Sequence, residues 1–167
     1  MAYSASRLDR RALLTGLVVA PAVLSFGRAQ AGGAYLFPLG IASGDPAPDG
    51  FVIWTRLAAD PLAPDGLGGL SAPVPVQWEV ATDDQFRRIA ASGQFVADAS
   101  AAHSVHVEVA GLRPDRPYWY RFTAQGQQSP AGRARTTPAA GAHVDTLRLA
   151  VASCSHWERG YFSAYGH

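Results

Sequence analysis

Beyond residue 31, apolar residues in this chain recur at every second position, and nowhere at the 3.6-residue spacing that a substantial helix needs. That period restricts the chain to strands. Val74, Val76, Trp78 and Val80 fall on one side of a strand over 74–82, with Gln77 and Glu79 on the other. Over 103–109, Val105, Val107 and Val109 alternate with Ser104, His106 and Glu108. Over 117–124, Tyr118, Tyr120 and Phe122 alternate with Trp119 and Arg121. Further strands are expected at 41–45, running into a Gly44-Asp45-Pro46 turn, at 51–57 after the Asp49-Gly50 turn, at 93–97 and at 132–136. Residues 58–73 carry three Pro and three Gly and read as a surface loop. Asp83 to Ile89 reads as one turn of helix capped by Thr82 or Asp83. Trp54 and Trp78 are expected in the core and Trp119 partly exposed. About seven short strands over roughly a hundred residues predict an all-β fold, a two-sheet antiparallel sandwich.

The stretch Leu112-Arg113-Pro114-Asp115-Arg116-Pro117-Tyr118 sharpens this reading. It resembles the corner of fibronectin type III domains, in which Leu and Pro precede a strand whose first Tyr bonds back to the corner. The resemblance implies that Leu112, Pro114 and Tyr118 form such a corner. It also implies an immunoglobulin/fibronectin-III-like sandwich over residues 32–138.

Residues 1–31 have the order of a cleaved export signal. A positive stretch ends in Arg10-Arg11, an apolar run follows from Ala12 to Phe26, and Ala29-Gln30-Ala31 supplies small residues for a cleavage site at Ala29 and Ala31. The apolar run contains Pro21 and falls short of the ~20 residues of a spanning helix. Arg10-Arg11 followed by Leu13-Leu14 resembles a twin-arginine signal; an ordinary secretory signal with two adjacent Arg is the alternative. The twin-arginine reading implies a twin-arginine translocase as partner, transient membrane contact through the signal, and a periplasmic or extracellular location. The chain's apparent basicity belongs to this segment. All 14 basic residues are Arg, and the acids number 13; residues 1–31 hold four of the Arg and one acid, leaving ten Arg against twelve acids, a net −2. No basic patch is left to attract nucleic acid. One Cys excludes an internal disulfide.

After Thr136 the texture changes. Residues 139–145 read as a small-residue linker, and 146–154 as a strand apolar on both faces, the first strand of a second, α/β domain. Cys154 ends that strand, where open α/β sheets place ligand groups. Its thiolate suits a transition metal, although by its chemistry alone a free Cys is equally a small buried hydrophobe. His103 and His106, three apart in an expected strand, point to opposite faces and cannot chelate together. His143 lies in the linker, His156 two residues past Cys154, and His167 last. Asp45 and Asp49 read as turn residues.

Several motifs occur in order along the chain: Phe37-Pro38-Leu39-Gly40-Ile41-Ala42-Ser43-Gly44-Asp45-Pro46, Phe51 to Leu57, Val76-Gln77-Trp78-Glu79, His103-Ser104-Val105-His106-Val107, Leu112 to Phe122, and Val151-Ala152-Ser153-Cys154-Ser155-His156-Trp157 with Gly160-Tyr161-Phe162. Together they resemble the alkaline phosphatase D (PhoD-like) family. That resemblance implies an N-terminal immunoglobulin-like domain followed by a metallophosphoesterase domain, with residues 146–167 as its truncated start. It implies hydrolysis of phosphate esters with an iron and calcium centre, and Cys154 as an iron ligand. The family's other metal ligands have no counterpart in this sequence, so no catalytic residue is assigned and the chain by itself is expected to be inactive. The alternative is a stand-alone secreted immunoglobulin-like module with a binding or accessory role.

Overall fold

Alternation along the chain becomes alternation across two sheets. The computed structural model describes residues 33–146, 148, 150 and 151. The expected signal with Arg10, Arg11, Ala29 and Ala31 lies outside the described residues, as does the segment from 152 with Cys154 and His156. Eight strands occur among the described residues: β1 Ile41–Ala47, β2 Gly50–Arg56, β3 Val74–Ala81, β4 Ile89–Ala97, β5 Ser104–Val109, β6 Pro117–Ala124, β7 Gln127–Gln128 and β8 Gly132–Arg135. One sheet has the order β1-β2-β5. The other runs β4-β3-β6-β7, with β8 also pairing β6. Every pairing is antiparallel. The chain changes sheet between β2 and β3, between β4 and β5, and between β5 and β6. This is the connectivity of an immunoglobulin/fibronectin-III-like sandwich.

Register puts the apolar sets face to face. In the first sheet Phe51 opposes Val109, Ile53 opposes Val107 and Thr55 opposes Val105. In the second, Val76 opposes Ala124, Trp78 opposes Phe122 and Val80 opposes Tyr120. Phe51 joins the two layers, its ring centroid lying 6.1 Å from Tyr118 and 6.5 Å from Tyr120. Gly132 sits where a Cβ would lie 2.3 Å from the Tyr120 ring, so only glycine lets that ring lie against β8. The lead-in to β1 is also core: Leu36 and Phe37 are buried. The Ala58 amide donates to the Leu36 carbonyl at 3.0 Å, and the Leu36 amide donates to Gln127 Oε1 at 2.9 Å.

Four expectations are corrected. β1 does not stop at the Gly44-Asp45-Pro46 turn but runs on to Ala47, with a register shift between Gly44 and Ala47 and a positive φ of 45° at Asp45. Pro46 is tolerated because β1 is an edge strand and the irregularity falls on it. Residues 83–89 form no helix. The Asp83 carboxylate instead accepts from the Arg87 and Arg88 amides at 3.1 and 2.9 Å, and the Thr82 amide donates to the Arg88 carbonyl, closing a loop between β3 and β4. The side chain acts as a loop tie rather than a helix cap. β4 begins at Ile89, before Gly93. Trp54 is half-buried on an outer face rather than core, whereas Trp78, also half-buried, does pack against the core. Trp54 lies opposite His106 on the face turned away from Ile53 and Thr55, and the Trp78 ring covers Gly93 at the open edge of the second sheet.

Candidate functional site

The strand ends fall at two poles. One gathers the ends of β1, β3, β5 and β8 with the starts of β2, β4 and β6, and it is where the chain leaves the sandwich. Here the Tyr118 hydroxyl accepts from the Arg113 amide at 2.9 Å and lies 3.4 Å from the Arg113 carbonyl. Leu112 and Tyr118 are buried beneath this turn. A second hydroxyl, not singled out in the sequence, completes the joint. Thr136 Oγ1 donates to the Arg113 carbonyl at 2.7 Å and accepts from the Arg116 amide at 3.1 Å. Thr136 is 1% exposed. A threonine just past a short strand carries no mark of this role, because its partners lie twenty or more residues back.

The exit is fixed on both sides. The Thr136 amide donates to the Arg116 carbonyl at 3.1 Å, the Asp115 amide to the Thr137 carbonyl at 3.0 Å, and the Thr137 amide to the Ala47 carbonyl at 3.0 Å. Arg135 and Asp115 pair across the rim at 2.7 Å. Both are exposed, so that pair contributes little by itself.

A cleft of about 570 Å³ opens beside the corner. Thr82 and Arg88 come from the β3–β4 loop; Gly111, Arg113, Arg116 and Tyr118 come from the corner. Three arginines and no acid line it. The Asp83 carboxylate is held below its ordinary value of 3.8, first by the Arg87 amide, then by Arg88 through its amide and its charge. It therefore stays ionised and committed to its own loop. On the outer face of the second sheet, Arg121 pairs with Glu79 at 2.8 Å and stacks on Phe86 at 4.0 Å from the ring centroid.

The histidines do not assemble. His103 precedes β5 rather than lying in it, with φ of 57°, and is fully buried at the opposite pole. Its Nδ1 lies 3.3 Å from the Ala97 carbonyl and its Nε2 3.2 Å from the Leu70 carbonyl. His106 is exposed on β5. His143 lies 2.8 Å from Asp145, both almost fully exposed. Asp45, at the irregularity of β1, and Asp49, in the β1–β2 connection, are both exposed. Among the described residues no three His, Cys, Asp or Glu side chains converge on a metal-sized space. These residues therefore do not fit an iron or calcium centre, and no hydrolytic step is assigned to them.

Comparison with known proteins completes the description. The model of the PhoD-like phosphatase N-terminal domain matches residues 21–138. Alkaline phosphatase D of Bacillus subtilis (strain 168) is 48% identical over 157 residues, covering 93% of this chain and 27% of that protein. A solved structure of PhoD superimposes with a TM-score of 0.74 at 50% identity, covering 79% of this chain and 25% of that one. The chain thus spans about a quarter of the length of these relatives. It belongs to the PhoD-like phosphatase family, whose N-terminal domain is the sandwich described above.

Proposed function

We propose that this chain is the leading part of an exported, metal-dependent PhoD-like alkaline phosphatase or phosphodiesterase. The sandwich serves as a scaffold beside the active site, and residues from 146 onward enter the catalytic domain. The observation that carries this reading is the extent of the match to alkaline phosphatase D. It takes in 93% of the chain, more than the 21–138 span of the N-terminal family model. An accessory sandwich would have no reason to keep that likeness past its last strand. In this reading Cys154 supplies one thiolate to iron, which with calcium provides Lewis-acid stabilisation of a phosphoryl group when bound. Residues 1–31 direct export through the twin-arginine route.

The test is the native exported polypeptide from its source. Its intact mass, iron and calcium content, and hydrolysis of bis(p-nitrophenyl) phosphate are measured with and without Cys154→Ser. A mass far above 17.6 kDa, with hydrolysis and iron both lost in the variant, supports the reading. A product at or below that mass without hydrolysis overturns it and leaves the accessory module.

A further inference from the structure

The corner cleft has the chemistry of an anion site. Its walls carry Arg88, Arg113 and Arg116 without an acid, in a polypeptide whose net charge beyond residue 31 is −2. Arg113 and Arg116 form no ion pair among the described residues. The neighbouring acids are engaged elsewhere: Asp83 accepts from two amides of its own loop, and Asp115 holds Arg135. Arg88 lies 3.6 Å from Asp83 with its side chain 78% exposed. That is a loose pair, which a better-placed acceptor displaces at little cost.

The scaffold beneath these guanidinium groups is already fixed. Arg113 is held through its amide by Tyr118 and through its carbonyl by Thr136; Arg116 is held through its amide and carbonyl by Thr136. Binding then orders side chains only, which lowers its entropic cost. Guanidinium forks match the oxygens of a phosphate group bidentately, where an ammonium would act as a point charge. About 570 Å³ accommodates a phosphate together with an organic substituent. The apolar floor of Ala90, Leu112 and Pro117 suits that substituent.

We infer that this cleft is an auxiliary binding site for the phosphate group of an ester substrate, placed where the chain leaves the sandwich. The assignment of the ligand as an ester rests on the phosphoesterase reading above; the affinity for a phosphate oxyanion rests on the three arginines alone.

The experiment is an NMR titration of the full chain, observing backbone amides and arginine Nε–H groups at constant ionic strength. Phenyl phosphate, dimethyl phosphate, inorganic phosphate and chloride are the probes. Expected are saturable shifts at Gly111, Arg88, Arg113 and Arg116 with at least one ester, and about tenfold weaker binding in Arg113→Gln/Arg116→Gln. Melting temperature should be unchanged in that variant, and Arg133→Gln, a substitution on β8 outside the cleft lining, should bind as the parent does. Saturation by inorganic phosphate without either ester overturns the ester assignment. Shifts that chloride reproduces, or binding indifferent to the double variant, overturn the site itself. None of these readings depends on hydrolysis, so failure of the phosphoesterase reading registers separately, in the native polypeptide's mass and activity.

Discussion

The two poles of the sandwich are both closed by a buried polar side chain, but they are closed in different ways. At the exit pole, Tyr118 reaches back only five residues, to Arg113. At the opposite pole, His103 bridges the end of β4, at Ala97, to Leu70, 33 residues away in the long loop before β3. Tyr118 belongs to a compact motif that forms wherever that local sequence folds over a strand. His103 has no local motif. Its ring is useful only because two sheets have already brought Leu70 and Ala97 to either side of it. The first joint rests on a local bond, which Thr136 reinforces from 23 residues away by sharing the same carbonyl. The second is non-local throughout.

That contrast orders the expected effects of mutation. His103→Ala should cost the most, about 3 kcal/mol, because it empties a fully enclosed site and leaves the carbonyl that its ring N–H reaches without a donor. Urea unfolding measures it; a loss no greater than that of Tyr118→Phe would break the comparison. Tyr118→Phe keeps the ring and removes only the hydroxyl, for about 1.5 kcal/mol. Thr136→Val should cost about 1 kcal/mol. Because both hydroxyls meet Arg113, the double variant should depart from additivity, whereas pairing either with His103→Ala should give a simple sum. An additive corner would show that its two hydroxyls act independently.

Two pH effects are smaller. Burial pushes the Tyr120 hydroxyl above its ordinary 10.0, against an opposing hydrogen bond with Ser43. A raised acid in the folded state means stability that is intact below pH 10 and falls as pH rises through the folded value. Tyr120→Phe should flatten that alkaline limb of the stability curve. The half-buried Asp83 and Asp98 carboxyls are depressed below 3.8, the first chiefly by the Arg87 amide, the second chiefly by the Ser100 hydroxyl. Their contribution is present above about pH 4 and is lost as pH falls further. The expected acid-side decline is the slightest of these effects, and Asp83→Asn with Asp98→Asn should remove it.

Legibility in the sequence followed the range of the interaction. β6 was readable because its alternation is complete: Tyr118, Tyr120, Phe122 and Ala124 are buried and the residues between them are not. β4 was cut short at its start because Ile89 to Ser92 are small or exposed residues with no alternation to read. They are strand only because β3 pairs with them along its whole length. Asp83 looked like a helix cap because the same carboxylate-to-amide bonds serve caps and loops alike. Trp54 looked like core because its size outweighed its parity, yet parity put it on the outer face. The arginine cleft left a trace in the sequence only as scattered Arg, since Arg88 and Arg113 meet across a gap of 25 positions.

The strand period, the Asp49-Gly50 turn and the local tyrosine motif are written in the chain itself. These follow from backbone sterics and from contacts within a few residues, which travel with the chain. Packing of the whole domain was needed to place β1, β2 and β5 in one sheet and β3, β4, β6, β7 and β8 in the other. It alone decided that His103 ties two distant carbonyls, and that three arginines share one cleft. Those facts depend on which segments close long loops together, a choice made by the packing of the whole core rather than by any one segment.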